Sequence, residues 1–166
     1  MRSIFSGLLA ATLLAGCASY SGSGLVVGKS TGTEVEASMG RPAERLTKPD
    51  GGSVLYYPRG PAGRDTFAVL LGADGKLRAI EQRLTDEYFA KIVPGTTTAA
   101  QVRELIGPSM IHSSLTWQKR DVWEYYIGDY VHPFILYVQF SADGIVREVV
   151  RVRDPHFDGN GGSDVP

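Results

Sequence analysis

The sequence is short of most of what catalysis or cofactor binding would require. A single cysteine, Cys17, stands among 166 residues, which excludes an intrachain disulfide and any site built from several thiolates. The three histidines, His112, His132 and His156, have no metal-ligand spacing between them and no candidate nucleophile beside them in sequence. Neither a Gly-x-Ser-x-Gly elbow nor a His-Glu-x-x-His helix is present. Charge of one sign is also lacking. Seventeen basic residues face eighteen acidic ones, a formal net charge of −1, and a nucleic-acid footprint needs a strong basic excess. The acidic pairs Asp86/Glu87 and Asp121/Glu124 sit where helix or strand edges are expected and read as solvated charges. These shortages lead us to expect no catalysis, no cofactor, no metal and no nucleic-acid partner. The rival expectation is an envelope hydrolase whose site assembles from residues distant in sequence.

A long hydrophobic run is absent as well. The most apolar segment, Ile4 to Ala15, follows the single positive charge of Arg2 and is too short for a permanent membrane helix. It reads as the h-region of a secretory signal. It closes in Leu14-Ala15-Gly16-Cys17, which resembles the bacterial lipobox. That resemblance implies cleavage of residues 1–16 and acyl chains on Cys17. Each buried CH₂ contributes about 0.8 kcal/mol, so two or three chains hold a protein where one would not. Ala18 rather than Asp follows the cysteine, which favours the periplasmic face of the outer membrane. Loss of Arg2 moves the formal charge to −2. Residues 17–24, the lipidated cysteine and "ASYSGSG", read as a flexible tether reaching roughly 15 Å. Residues 154–166, rich in Gly, Asp and Pro, read as a disordered tail.

After the tether comes "GLVVGKST", Gly24 to Thr31, which looks like the end of a phosphate-binding loop. That loop needs glycine four residues before its Gly-Lys-Ser, and Ser23 stands there. Nor can "CASYSGSG" supply the buried strand that must precede it. No nucleotide is expected. A second copy of the segment explains it better. Val26–Pro42, "VVGKSTGTEVEASMGRP", is answered by Val93–Pro108, "VPGTTTAAQVRELIGP". Thr31 with Glu34, and Thr98 with Gln101, fit capping boxes. Val35/Met39 and Val102/Ile106 form i,i+4 apolar stripes. Gly40 and Gly107 then stop each helix ahead of a proline. Helices this short must be packed against something.

The remainder repeats too. "SVLYY" (53–57) answers "DVWEYY" (121–126), and "FAVLLGADGKLRAI" (67–80) answers "LYVQFSADGIVREV" (136–149). Asp-Gly between β-rich runs marks a hairpin. Each half therefore reads as a short helix, one strand, a loop and a hairpin. A further helix, "LTDEYFAKIV", with Thr85 at its N-cap, precedes the second. The expected fold class is α+β: two tandem repeats, 25–83 and 84–153, each with short helices on a three-stranded antiparallel sheet.

Over Leu84–Arg153, Gly95, Val102, Gly107, Pro108, Trp123 and Tyr125 stand in an order that resembles the SmpA/OmlA (BamE-like) family of small outer-membrane lipoproteins. Tandem copies are similar in architecture to β-lactamase inhibitory protein. The family resemblance implies a scaffold or accessory role in β-barrel outer-membrane protein assembly. The second implies an inhibitor-like module that caps a periplasmic enzyme.

Alternation puts Trp123 and Tyr125 on one face of their strand and Tyr126 on the other, and separates Tyr137 from Leu136, Val138 and Phe140. One set is core; the other can meet a protein partner. With the loop "GDYVHPF" (128–134), the tentative contact residues are Tyr126, Tyr130, His132, Pro133, Phe134 and Tyr137. Arg147, Arg151 and Arg153 alternate along one strand as a solvated face or a contact for acidic groups.

Overall fold

The structure is a computed structural model and describes residues 19–157. The proposed signal segment and Cys17 lie outside them.

The first half begins with helix α1, Gly32–Met39. Its capping box forms: the Glu34 amide donates to the Thr31 hydroxyl oxygen, and the Thr31 amide donates to the Glu34 carboxylate at 2.7 Å. That carboxylate lies below its usual pKa range, chiefly through the Thr31 amide bond. Strands β1 (Glu44–Thr47), β2 (Ser53–Pro58), β3 (Thr66–Leu71) and β4 (Leu77–Gln82) follow, and they pair in chain order as one antiparallel sheet. The second half holds a single turn of helix, α2 (Asp86–Phe89), then α3 (Ala99–Ile106), whose box uses Thr98 and Gln101. Strands β5 (Ile111–Leu115), β6 (Arg120–Gly128), β7 (Pro133–Ser141) and β8 (Val146–Arg153) make a second sheet in the same order.

The turn before each helix is stitched to its own sheet by equivalent bonds. The Gly28 amide donates to the Leu77 carbonyl at 2.8 Å, as Gly95 does to Val146 at 2.7 Å; Leu77 returns a bond to Ser30, as Val146 does to Thr97. Lys29, exposed, lies in the first of these turns. "GLVVGKST" is therefore a helix-start turn fastened to a strand.

The fold differs from the three-stranded α+β expectation. The molecule is mostly β, with two four-stranded sheets and few, short helices. The two strands that sequence reading missed, β1 and β5, are edges. Strand β5 is exposed along its whole length, so it carries no apolar alternation from which a strand could be read. The expected helix over 84–93 shrinks to one turn, and Thr85 holds its N-cap position without a side-chain bond.

The layers stack helix, sheet, helix, sheet. Val35 and Met39 of α1 pack on Leu55, Tyr57, Val69 and Leu71, one face of the first sheet. Its other face, Val54, Tyr56 and Ala68, meets α3: the Tyr56 hydroxyl donates to the Glu104 carbonyl, and Arg103 pairs with Glu44 of β1 at 2.7 Å. The opposite side of α3 buries Val102 and Ile106 against Tyr125, Val138 and Phe140 of the second sheet. One short helix thus serves two sheets. A second tie runs from the β2–β3 loop, where buried Arg64 pairs with buried Asp154 and donates to the carbonyls of Phe134 and Ile127 at 2.9 and 3.2 Å.

The described residues at both ends, 19–22 and 154, are anchored. The Ser19 amide bonds the Ser38 carbonyl at 2.6 Å, Tyr20 donates to Asp65 at 2.5 Å, and Gly22 is buried. At the other end, Asp154 is fully buried.

Candidate functional site

Two surfaces stand out. The first is the face of the second sheet turned away from α3. Cross-strand pairing aligns Tyr126 with Ile135 and Ile135 with Val152 in one row; Ile111, Glu124, Tyr137 and Val150 form the next. Towards the β7–β8 turn the surface becomes polar, with Arg120 bonded to Gln139 at 2.8 Å and to Glu148 at 2.9 Å. The three α-helices among the described residues pack elsewhere, α1 on the first sheet and α2 and α3 on the other face of the second. Among the described residues no α-helix covers this face, but its first row is partly closed: Ile135 is buried, and Arg64 of the β2–β3 loop lies over the Tyr126 ring at 5.6 Å. Ile111 and Leu115 remain 40% exposed and Val152 45%. Trp117, in the turn after β5, is wholly exposed. Burial raises the Tyr137 phenol, and the nearby Glu124 carboxylate raises it further.

The structure divides the six tentative contact residues. Tyr126 and Tyr137 share the open face. Pro133 lies opposite Gly128 at the rim and is buried. Phe134 turns the other way, against the core beneath α2 and α3. Tyr130 and His132 sit exposed in the β6–β7 loop, where the Tyr130 hydroxyl donates to the Ala62 carbonyl and His132 lies 3.6 Å from Asp129. The loop is thus part of the tie between the halves. The alternating arginines are engaged as well: Arg151 pairs with Asp86 and lies over the Phe89 ring, and Arg147 pairs with Asp143 at 3.1 Å.

The second surface is a groove between the first sheet and α3, with a volume of about 550 Å³. Val54 and Tyr56 of β2 lie along one wall, Gln101, Glu104 and Leu105 of α3 along the other, and Lys48, Arg83 and Lys91 bring positive charge. Burial pushes the Tyr56 phenol up to about 12. The groove lining contains no histidine, serine or aspartate. His112 lies away from it, stacked on Trp123 at 5.1 Å. Among the described residues no group of three or more His, Cys, Asp or Glu converges as a metal site. Sequence reading missed the groove entirely, because its walls come from separate halves of the chain.

No family model and no curated protein matches the chain. A solved structure of a DUF4309 family protein, YjgB, from Bacillus subtilis subsp. subtilis str. 168 is similar at 17% identity, over 80% of this chain and 84% of that one, with a TM-score of 0.33. This corrects the SmpA/OmlA resemblance, which no family model and no curated protein supports. The four-stranded sheets also correct the expected pair of three-stranded helix-plus-sheet repeats on which the BamE-like and inhibitory-protein-like architectures were based. The residues behind the resemblance explain the error. Thr98 and Gln101 cap a helix, Gly107 and Pro108 end it, and Tyr125 anchors it by donating to the Gly107 carbonyl at 3.1 Å. Such features recur wherever a short helix lies on a sheet.

Proposed function

We propose that this chain is a lipid-anchored protein of the outer membrane's periplasmic face whose work is to bind another protein, without catalysis, through the open face of the second sheet. The observation that carries the reading is that face: the row Ile111, Tyr137 and Val150 with Glu124 among them, exposed Leu115 and Val152 beside it, no covering α-helix among the described residues, and a polar end built by Arg120, Gln139 and Glu148. Protein interfaces favour this arrangement, an aromatic centre with a charged rim. The groove, the other place where chemistry could occur, offers no histidine or serine for an acyl-transfer mechanism.

The anchor is carried by the lipobox-like sequence at Cys17. No helix among the described residues is long and apolar enough to cross a membrane. Cys17 and Ser19 are two residues apart, a span of at most about 7 Å. Because Ser19 is bonded to the end of α1, an acylated Cys17 holds the first half close against the headgroups. The second sheet, stacked beyond α3, is then presented to the periplasm.

The test has two parts. Cys17→Ala should move the protein out of the membrane fraction; retention there refutes the anchor. A photocrosslinking phenylalanine analogue replacing Tyr137 in the membrane-bound protein should capture one partner, and Ile111→Glu with Val152→Glu should remove that adduct. Persistence of the adduct in the double variant rules out the open face. A captured assembly factor makes the chain a scaffold, whereas a captured periplasmic enzyme makes it an inhibitor.

A further inference from the structure

We propose that the groove between the first sheet and α3 binds a single-chain acyl carboxylate, the tail lying on Val54, Tyr56 and Leu105 and the carboxylate against Lys48. This site is separate from the open face and does not depend on the partner-binding reading.

The size suits a small ligand: about 550 Å³, within the usual range of roughly 300–1,000 Å³. The chemistry is narrowed by which polar groups are already taken. Lys91 pairs with Glu87 at 2.9 Å and lies over the Tyr88 ring; Arg83 pairs with Glu81 at 2.8 Å and donates to the Leu105 carbonyl, which leaves only its buried Nε without a partner among the described residues. Gln101 is held in its capping box, and the Thr97 hydroxyl oxygen accepts from the Val93 amide. The Lys48 ammonium, half-buried at the β1–β2 turn, has no ion pair or hydrogen bond among the described residues. One uncommitted positive charge beside an apolar wall fits a monoanion with an apolar body. A phosphate dianion asks for more. It is best met by an arginine fork, yet the two terminal nitrogens of Arg83 are engaged, which leaves its Nε alone, and the Glu104 carboxylate in the same wall opposes a second negative charge.

The wall also disfavours a peptide. Strand β2 is interior, its backbone groups already paired with β1 on one side and β3 on the other. An extended peptide laid there would leave its own amides unsatisfied, a cost that main-chain pairing at a sheet edge normally removes. An acyl chain has no such groups. The Tyr56 hydroxyl is likewise occupied by the Glu104 carbonyl, so its ring offers an apolar edge.

The test is calorimetric titration of the full-length protein in phosphatidylcholine nanodiscs, with empty nanodiscs subtracted, using dodecanoate, dodecanol and dodecyl phosphate. Dodecanoate should bind saturably at one site, at least tenfold more tightly than dodecanol and no more weakly than dodecyl phosphate. Lys48→Glu should weaken dodecanoate at least tenfold. Val93→Trp, at a residue 50% exposed on the groove rim, should block binding while circular dichroism and Tm stay unchanged. No saturable heat above the empty discs overturns the site. Equal binding of dodecanol, or no effect of Lys48→Glu, overturns the assignment of the head group to Lys48. Tighter binding of dodecyl phosphate overturns the carboxylate.

Discussion

Gly40 and Gly107 end α1 and α3 in the same backbone conformation, φ 85° and ψ −174° for the first, φ 81° and ψ −174° for the second. That region is nearly confined to glycine, and another residue there costs about 1–3 kcal/mol. Alanine at either position should therefore incur the same backbone penalty. Their surroundings differ. A Cβ on Gly40 would meet nothing within 4 Å, whereas one on Gly107 would lie 2.8 Å from Tyr56 Cδ1 and 3.0 Å from Thr66 Cγ2. Tyr56 is fully buried and its hydroxyl is tied to α3, so the ring has no room to give. Overpacking of this kind adds about 1–3 kcal/mol. Gly40→Ala should cost about 1–3 kcal/mol and Gly107→Ala about 2–6 kcal/mol, the excess reading the contact between α3 and the first sheet. Urea unfolding followed by circular dichroism measures both, with an unchanged slope showing that the exposed area is the same. If Gly107→Ala proves no more costly than Gly40→Ala, the first sheet does not rest on α3 and the layer order given above is wrong.

Three buried tyrosines provide a second comparison. Tyr125 donates to the Gly107 carbonyl at 3.1 Å, whereas the Tyr57 hydroxyl is buried with no partner. Tyr125→Phe should cost about 1–3 kcal/mol while Tyr57→Phe is neutral or stabilising; equal losses in thermal melts would contradict this. Tyr56→Phe, which gives up the bond to Glu104, should fall on the Tyr125 side. The Arg64–Asp154 pair gives a pH dependence. Burial raises the Asp154 carboxyl, but the Arg64 bond, the His156 amide and the guanidinium charge together bring it below its ordinary 3.8. A folded-state value below the unfolded one stabilises above that ordinary range, and the gain disappears as pH falls through the folded value. Asp154→Asn should lower stability at pH 7 by about 3–5 kcal/mol and flatten the acid limb below about pH 4; an unchanged limb would show that the pair is not buried.

The local grammar of this fold was legible. Thr31, Glu34, Thr98 and Gln101 form their boxes, and the Asp-Gly turns join β3 to β4 and β7 to β8, because caps and tight turns depend on residues a few positions apart. Alternation correctly separated Trp123 and Tyr125 from Tyr126. It also kept Tyr137 off the Leu136–Val138–Phe140 side, since side chains along a strand must alternate. Beyond that range reading failed. Strand β5, "IHSSL", and strand β1, "ERLT", have no apolar alternation because each lies at a sheet edge, and without them each sheet looked three-stranded. Phe134 was taken for a contact residue by its place in a loop-like stretch; its position in the β7 register turns it to the core instead.

What the chain determined by itself is therefore local: where helices start and stop, where hairpins turn, and which side chains share a strand face. The tertiary structure alone decided that α3 is shared between two sheets, that Tyr56 and Lys48 of the first half join Glu104 and Leu105 of the second in one groove, and that, among the described residues, no α-helix covers the face bearing Tyr126 and Tyr137. Those outcomes rest on contacts between residues many tens of positions apart. A periodicity reports that a face is apolar, but only the packed layers determine what, if anything, covers it.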